Sequence, residues 1–356
     1  MKLTIAIPTF NRSSDLNNLL MSIELATVSF AHRDTIEVLV IDNNSDDNTV
    51  DICQSFTNRI LNFRFLTNLS NIGLTGNLNE CISKSSGEFL WLIGDDETIS
   101  LNSLEIIYSE FEYDLDMYIF NYSSEPLDPS QKFLNFNLSR PVYTRTDKLY
   151  DLVMDWGWLW CLGNLGMVLV RRSLLDHRDF SSFANCNFGQ ASWYFEGFHD
   201  KNVKFLDVPI FRTYIKSQTV NKERWKTDDT SRKFLNIYDS IYILISKGCL
   251  PSHLPFNFFN GCSADTYPIW GYILSEIKYK ILNNDFHFDQ KYFDSIFNMI
   301  TLLNDLKLRA SLISCFTNLI LTLNSIRVSQ ESYFKNIGEL PDIWASSTDK
   351  LLSFRS

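Results

Sequence analysis

The sequence predicts an α/β fold, a mostly parallel sheet flanked by helices, followed by a helical C-terminal region. Over the first hundred residues, short apolar runs alternate with helix-like stretches in the order βαβαβαβ. From about residue 226 onward, apolar residues instead recur at helical spacing. With 45% apolar and 21% charged residues, the composition is that of a globular protein and excludes a disordered chain.

The first half of the predicted sheet follows four apolar runs, at 3–10, 36–42, 62–66 and 88–93. The second of these runs is nearly continuous and β-branched, which is typical of a parallel strand covered on both faces. Helices are predicted over 15–28, 49–57 and 73–85. Because ligands of open α/β sheets bind at the carboxyl ends of the strands, the residues that follow each strand are the candidates for a site.

The rest of the chain is predicted to divide near residue 225. Strands are expected over 117–122, 167–172 and 203–214, and the aromatic stretch at 157–164 is expected to be a loop or a pocket wall. Helical stripes follow at 234–245, 269–282, 291–306 and 308–328. We therefore expect one α/β domain at 1–225, with halves at 1–100 and 101–225, and a helical region at 226–356.

Charge and cysteine usage exclude several classes of function. The net charge of −10 excludes a nucleic-acid partner held through its phosphates. Seven scattered cysteines without C-x-x-C predict neither a zinc site nor a disulfide framework, and favour a cytoplasmic protein. We expect neither a signal peptide nor a membrane-spanning helix. The apolar segment at 310–323 is interpreted either as a buried helix or as a peripheral membrane helix.

An acidic cluster, Asp95-Asp96-Glu97, directly follows the fourth predicted strand. Carboxylates at this spacing can hold a hard divalent cation, with phosphate oxygens completing its coordination shell. Such a cation would offset the charge on a leaving diphosphate. The alternative is a solvated turn that caps a helix.

Polar residues also follow the other strands. Asp42 ends the second strand, where it can accept hydrogen bonds from a base or a ribose hydroxyl; an ordinary Asx turn is the alternative. Residues 8–12 follow the first strand and can frame a nucleotide with backbone groups and Arg12. The loop at 71–77 contains glycines that allow close backbone approach, but it is neither G-x-G-x-x-G nor a P-loop.

Taken together, these blocks resemble a known family. IAIPTFNR, VLVIDNNSDDNT and NIGLTGNLNECISKSSGEFLWLIGDDE are similar to family 2 glycosyltransferases of the GT-A fold. The resemblance implies a nucleotide diphosphate sugar donor and a Mn²⁺ or Mg²⁺ ion. It also implies a nucleotide-sugar-binding half at 1–100 and an acceptor half at 101–225. Carried over by position, it assigns nucleotide and donor contacts to Pro8, Thr9, Arg12, Asp42, Asn44, Gly73, Asn77 and Asp95.

The acidic motif departs from the family pattern. That pattern commonly reads D-x-D-D, whereas these four positions read Ile93-Gly94-Asp95-Asp96. We predict Asp95 as the direct metal ligand, with Asp96 second and Glu97 third. The G-D-D variant resembles bacterial transferases of O-antigen assembly, of the abequosyltransferase type.

A second departure concerns the general base. Many inverting members carry an acidic pair on a helix before a later strand, and aligning 202–206 with that strand puts Gln190-Ala191 at the pair. Glutamine cannot take a proton, so we predict Glu196 as the base and Asp200 next. His199 and Asp155 remain alternatives. Aromatic residues nearby can stack on sugar rings or pack in the core. They are Trp156, Trp158, Trp160, Trp193 and Tyr194, of which Trp193 is a predicted substrate contact.

The resemblance implies a metal-dependent, inverting glycosyltransferase. It would move a hexosyl or deoxyhexosyl residue from a nucleotide diphosphate sugar to a glycan acceptor. The expected acceptor is a lipid-linked oligosaccharide of bacterial O-antigen or capsule synthesis, at the inner face of the cytoplasmic membrane, with peripheral contact through the C-terminal helices. A nucleotidyltransferase is disfavoured, because PTFNRSSD after the first strand lacks glycine. The remaining alternative is a non-catalytic nucleotide- or sugar-binding protein derived from the same fold.

Overall fold

A computed structural model describes residues 1–126, 144–175, 181–183, 186, 189–215, 237–255, 258, 300–303, 305–307, 309–310 and 313. The helix predicted at 269–282 lies outside these residues. Those predicted at 291–306 and 308–328, with the apolar segment at 310–323, are described only in part. The chain divides into two compact units, Met1–Asp228 with Cys262–Asp265 and Asp229–Gly261 with Thr266–Ser356.

The first unit contains a nine-stranded sheet. Its strands are β1 (Leu3–Thr9), β2 (Ile36–Asp42), β3 (Phe63–Thr67), β4 (Phe89–Leu92), β5 (Glu97–Ile99), β6 (Met117–Pro126), β7 (Arg145–Lys148), β8 (Val168–Arg171) and β9 (Asn202–Ile215). The strand order is β3-β2-β1-β4-β8-β6-β9-β5, and β7 pairs with β9. Strands β3, β2, β1 and β4 are parallel, as are β6 and β9, whereas the other pairs are antiparallel. The sheet is therefore mixed.

Helices flank this sheet. They are α1 (Ser13–Val28), α2 (Thr49–Phe56), α3 (Gly73–Lys84), α4 (Ser103–Glu110), α5 (Leu149–Trp156), α6 (Trp158–Leu162) and α7 (Gly189–Phe198). The stretch at 157–164, predicted to be a loop or a pocket wall, is largely the short helix α6. Strands β5 and β7 were not predicted, because three- or four-residue segments show too little periodicity and both depend on pairing with the distant β9.

The central strands form the core of the first unit. Every residue of β1, β2 and β4 is buried, as a parallel strand covered on both faces requires. Pro8 lies in β1 although proline cannot donate to a ladder. The ladder between β1 and β4 needs no donor from Pro8, because its last pair is Ala6 with Leu92.

A buried carboxylate connects these strands near their amino ends. Glu37 of β2 is 2% exposed. Its Oε2 accepts hydrogen bonds from Thr4 Oγ1 (2.6 Å) and the Ser86 backbone N–H (2.8 Å), and its Oε1 accepts one from Arg64 Nη1 (2.5 Å). Burial raises the pKa of Glu37, but these hydrogen bonds outweigh it and hold the pKa below its ordinary value.

The described part of the second unit begins with helix α8 (Ile237–Ser246), which confirms the helix predicted over 234–245. Leu254 and Leu303 form an isolated parallel bridge, and the Leu254 N–H donates to Leu302 O at 2.6 Å. Among the described helices, none combines the length and apolarity needed to cross a membrane.

Candidate functional site

The loops that leave the carboxyl ends of β1 and β2 are fastened to each other. The Asn11 N–H donates to Ser45 Oγ (2.8 Å), and the Asp46 N–H donates to Asn11 Oδ1 (2.9 Å). Asn11 and Asn44 have φ angles of 53° and 66°, which asparagine tolerates better than most residues. Asn44 is exposed at the tip of its loop. The two loops therefore form one ordered edge of the sheet.

Asp95 joins the first and fourth strands at this edge. The residue is 3% exposed, and its Oδ1 accepts a hydrogen bond from Arg12 Nη1 at 2.7 Å, while its Oδ2 accepts one from Thr9 Oγ1 at 2.9 Å. Burial raises the pKa of Asp95 even though these two bonds act in the opposite direction. The structure thus brings together three residues that the sequence placed near a nucleotide.

The other two acids of the cluster face different surroundings. The Asp96 side chain is 31% exposed and has its Oδ1 3.8 Å from Arg12 Nη1. Glu97 is 6% exposed, and its Oε2 accepts a hydrogen bond from the Gly94 N–H (3.1 Å). Burial, followed by the charge of Asp96, raises the pKa of Glu97 to about 8.

This arrangement departs from the predicted metal centre of Asp95, Asp96 and Glu97. Both Asp95 oxygens are bonded to neighbouring side chains, and Glu97 turns back to its own turn. Within the described ranges, no three His, Cys, Asp or Glu residues are grouped so as to hold a metal ion. The three acids therefore do not form a preformed set of ligands.

Asp42 presents an unpartnered buried oxygen at the end of β2. The residue is 0% exposed. Its Oδ1 accepts hydrogen bonds from Ser45 N–H (3.1 Å) and Ser45 Oγ (2.5 Å). Its Oδ2 is buried without a hydrogen-bond partner, and leaving such an acceptor unpaired costs about 1–3 kcal/mol. The atom is therefore suited to accept an N–H or O–H from a ligand.

Asn43 fixes the loop that follows β3. Its Oδ1 accepts hydrogen bonds from Asn68 Nδ2 and the Ile72 N–H, both at 3.0 Å. Its Nδ2 donates to Asn71 Oδ1 (2.8 Å) and to Gly73 O (3.3 Å). All four hydrogen-bonding positions of this buried amide are used. This role was not predicted from the sequence. The feature that could have indicated it is the group of five asparagines at 43, 44, 68, 71 and 77, which can hydrogen-bond to one another.

Asn77 lies beneath this loop rather than on the surface that faces a ligand. It is 2% exposed; its Nδ2 donates to Ile41 O and its Oδ1 accepts from Asn68 Nδ2, both at 3.0 Å. Gly73 is exposed and begins α3 with φ +74°, in the region that favours glycine. The Asn77 amide is therefore bonded to protein groups in this structure, and its donor contact stays a prediction.

The first turn of α7 is connected to the acidic cluster. Gln190 Nε2 donates a hydrogen bond to Gly163 O at 3.5 Å. Asn164 follows Gly163 in the chain, and its side chain is hydrogen-bonded to Glu97. Gln190 is the residue predicted to stand in place of the acidic pair. It therefore lies at the end of α7 that these contacts connect to the acidic cluster.

Asp200 lies toward the opposite end of the sheet. It precedes Asn202, the first residue of β9, whereas Thr213 near the end of β9 pairs with Glu97. Eleven residues of strand at about 3.3 Å each correspond to at most roughly 35 Å along β9, whose pairing with β6 is interrupted by two register shifts. The Asp200 side chain is 63% exposed, with its Oδ2 3.8 Å from Lys201 Nζ. The structure thus does not bring this predicted base to the cluster.

The remaining predicted site residues lie on or next to α7 and α5. Glu196 is half-buried and lies about 9 Å along the helix axis from Gln190, at 1.5 Å per residue. Trp193 is 1% exposed, so it packs in the core instead of facing a sugar. Asp155 Oδ2 accepts from Arg145 Nη1 (2.7 Å), and His199 O accepts from the Tyr150 N–H.

The other aromatic candidates are also in the core. Trp156, Trp158 and Tyr194 are each no more than 4% exposed, while the side chain of Trp160 lies outside the described residues. Of the two interpretations open for these rings, core packing is the one that their burial favours.

Comparisons with known proteins agree with this architecture. The model of Glycosyl transferase family 2 matches residues 4–175. The abequosyltransferase RfbV of Salmonella typhimurium is 27% identical over 40% of this chain and 47% of its own length. A GalNAc(5)-diNAcBac-PP-undecaprenol beta-1,3-glucosyltransferase of Campylobacter jejuni is 28% identical over 30% of this chain and 33% of its own. Both matches span less than half of the relative's length.

A solved structure extends the likeness to the fold. The crystal structure of S. aureus TarS 1–349 in complex with UDP-GlcNAc has a TM-score of 0.55 and 15% identity, covering 94% of this chain and 92% of that one. At this identity the likeness concerns the fold alone. Residues 4–175 therefore belong to glycosyl transferase family 2, and the chain has the GT-A fold.

Proposed function

We propose that the protein is a glycosyltransferase that moves a hexosyl or deoxyhexosyl residue from a nucleotide diphosphate sugar to a glycan acceptor. The observation that carries this proposal is the buried, unpartnered Asp42 Oδ2 at the carboxyl edge of a family 2 domain. This acceptor atom suits a base N–H or a ribose hydroxyl. On the far side of β1, Arg12 provides a positive charge for a diphosphate, and the neighbouring acids Asp95 and Asp96 can contribute through a bound cation.

Arg12 and Asp96 are the side chains that we assign to the diphosphate end. The Arg12 side chain is 30% exposed while it bonds to Asp95, so its guanidinium can contact both the acid and a phosphate oxygen. Mg²⁺ and Mn²⁺ sites commonly use one or two carboxylates together with substrate phosphates. Half-exposed Asp96, with Asp95 beside it, fits such a donor set, and a cation there would offset charge on the departing diphosphate.

The proposed reaction is a single displacement. The acceptor hydroxyl oxygen forms a bond to the anomeric carbon, the bond from that carbon to the diphosphate oxygen breaks, and the diphosphate leaves with the electron pair. The hydroxyl proton passes to a base, and attack opposite the leaving group inverts the anomeric centre. Of the two predicted bases we retain Glu196, since it lies closer along α7 to Gln190 than Asp200 does.

The acceptor is proposed from the chemistry of the relatives. The name of the C. jejuni relative specifies an acceptor linked through PP to undecaprenol, and the S. typhimurium relative is named an abequosyltransferase. We extend these to a lipid-linked oligosaccharide of O-antigen or capsule synthesis at the inner membrane face. Peripheral contact through the C-terminal helices is part of the same proposal.

The test is a nucleotide-sugar panel with Mn²⁺ or Mg²⁺ and a membrane lipid extract, following release of nucleoside diphosphate. We expect one donor to turn over, Asp95→Asn to abolish turnover, and Asp46→Asn, an exposed acid of the neighbouring loop, to retain it. Binding of nucleotide without turnover of any donor would overturn the proposal in favour of a non-catalytic binding protein.

A further inference from the structure

Glu97 forms two hydrogen bonds with Gly94 and so closes the turn at 94–97, the acidic turn. Its carboxylate Oε2 accepts the Gly94 N–H (3.1 Å), while its own backbone N–H donates to Gly94 O (3.2 Å). The two bonds together bracket Asp95 and Asp96. A side chain on Gly94 would begin 3.2 Å from Asp96 Oδ1 and 3.6 Å from Glu97 Oε2, so the Asp96 carboxylate would have to shift by a few tenths of an ångström to admit it.

Residues just before β8 also contact Glu97. The Asn164 side chain is hydrogen-bonded to Glu97, and its Oδ1 accepts the Gly166 N–H at 2.9 Å. Gly166 O accepts a hydrogen bond from Trp91 Nε1 of β4 at 2.7 Å. A Cβ on Gly166 would lie 2.6 Å from Glu97 Oε2. The segment before β8 is therefore packed directly against the carboxylate.

Strand pairing completes the enclosure. Glu97 is the first residue of β5 and pairs with Thr213 of β9. The residue thus has contacts from its own turn, from the segment before β8 and from β9, and only 6% of it remains exposed. The donors to this carboxylate belong to its own turn and to the segment before β8, whereas the Arg12 side chain that bonds to Asp95 is itself 30% exposed.

From this geometry we infer that Glu97 is a positioning residue and not a metal ligand. It holds Asp95 and Asp96 at the carboxyl edge and connects them through Asn164 to the acceptor half. This inference rests on the proposed function, because it assigns Glu97 a role in the same site. It replaces the third ligand of the predicted metal centre with a buried support for the other two.

The experiment compares Glu97→Gln, Glu97→Ala and Asp96→Asn with wild type in the full chain. Free Mn²⁺ is measured by EPR in the presence of UDP, and nucleoside diphosphate release is measured with the active donor. Glutamine retains an oxygen for the Gly94 N–H but loses the charge that a ligand would need. We expect Glu97→Gln to keep Mn²⁺ affinity within about threefold, whereas Glu97→Ala and Asp96→Asn weaken it about tenfold or more.

A second variant keeps the inference testable if Glu97→Ala fails to fold. Asn164→Ala removes one support without altering the acidic turn, and Asn58→Ala on an exposed turn is its matched control. We expect Asn164→Ala to lower kcat about tenfold with the UDP Kd within about twofold. A merely structural role would lower the melting temperature and leave the kcat of the folded protein unchanged.

Two outcomes would overturn the inference about Glu97 and leave the proposed function standing. One is a loss of Mn²⁺ affinity in Glu97→Gln equal to that in Asp96→Asn, which would make Glu97 a ligand. The other is unchanged affinity and turnover in both Glu97→Ala and Asn164→Ala. A wild-type protein that binds neither UDP nor Mn²⁺ and turns over no donor is a different result, because it removes the proposed function and the role of Glu97 with it.

Discussion

Asp42→Asn is expected to weaken nucleotide binding while changing the stability of the free protein little. The amide oxygen of the variant stays toward Ser45, because the Ser45 N–H and hydroxyl both donate to Asp42 Oδ1 in the wild type. The amide nitrogen must then replace Oδ2, the oxygen that is buried without a partner. A donor group thus stands where the proposed ligand needs an acceptor.

The magnitude follows from the type of hydrogen bond that is lost. A hydrogen bond to a charged acceptor contributes about 1.5–3 kcal/mol, which corresponds to an increase in Kd of about 10- to 150-fold. In the free protein two effects oppose each other, because the substitution removes a buried, unpaired carboxylate oxygen but leaves a buried, unpaired amide N–H in its place. The free energy of unfolding should therefore stay within about 1 kcal/mol of the wild-type value.

Calorimetric titration of wild type and variant with UDP, GDP, CDP and dTDP measures the first quantity, and thermal unfolding without ligand measures the second. Asp46→Asn provides the control, since it makes the same change on an exposed residue of the same loop. The reasoning is refuted if the Kd of Asp42→Asn stays within about twofold of wild type for every nucleotide that binds. It is equally refuted if affinity and stability fall together, because the effect would then be a folding defect.

Two further predictions concern buried polar groups. Asn43→Asp removes the donations to Asn71 and Gly73, so we expect a loss of about 2–3 kcal/mol in unfolding free energy and faster chymotryptic cleavage after Leu69, measured against wild type. Glu37→Gln should lower stability at pH 7 by about 2 kcal/mol. Because the folded-state pKa of Glu37 is depressed, its contribution is present above about pH 4.5 and is lost as pH falls through the folded-state pKa. The acid side of a stability–pH profile should therefore be flatter in Glu37→Gln, and an unchanged profile would contradict the assignment.

The parallel half of the sheet and its site edge were predictable from the sequence. Strands β1, β2 and β4 are buried on both faces, so their apolar runs are continuous and end at the polar residues that begin the loops. Consecutive parallel strands put those ends side by side. This is why the order of strands and loops along the chain was enough to group Thr9, Arg12 and Asp95.

Side-chain direction within that edge was not predictable. Asn77 and Glu97 occur in the expected segments, yet both are turned inward by partners that lie elsewhere in the sequence. Asn77 donates to a backbone oxygen of β2, and Glu97 is packed against Gly166. Residue type and spacing are the same whether a carboxylate or amide faces a ligand or a neighbouring loop, so only the packing distinguishes the two.

The choice of a base shows the same limit on a larger scale. Helical spacing relates Glu196 to Asp200 but cannot say which end of α7 faces the donor. That end is set by β9, in which Thr213 pairs with Glu97 whereas Asn202, the first residue of the strand, pairs with Lys148. An acceptor hydroxyl must meet the anomeric carbon within bonding distance, next to the diphosphate and its charges. The group that accepts its proton must therefore reach the Gln190 end of the helix, and proximity to that end, not acidity alone, is what favours Glu196 over Asp200.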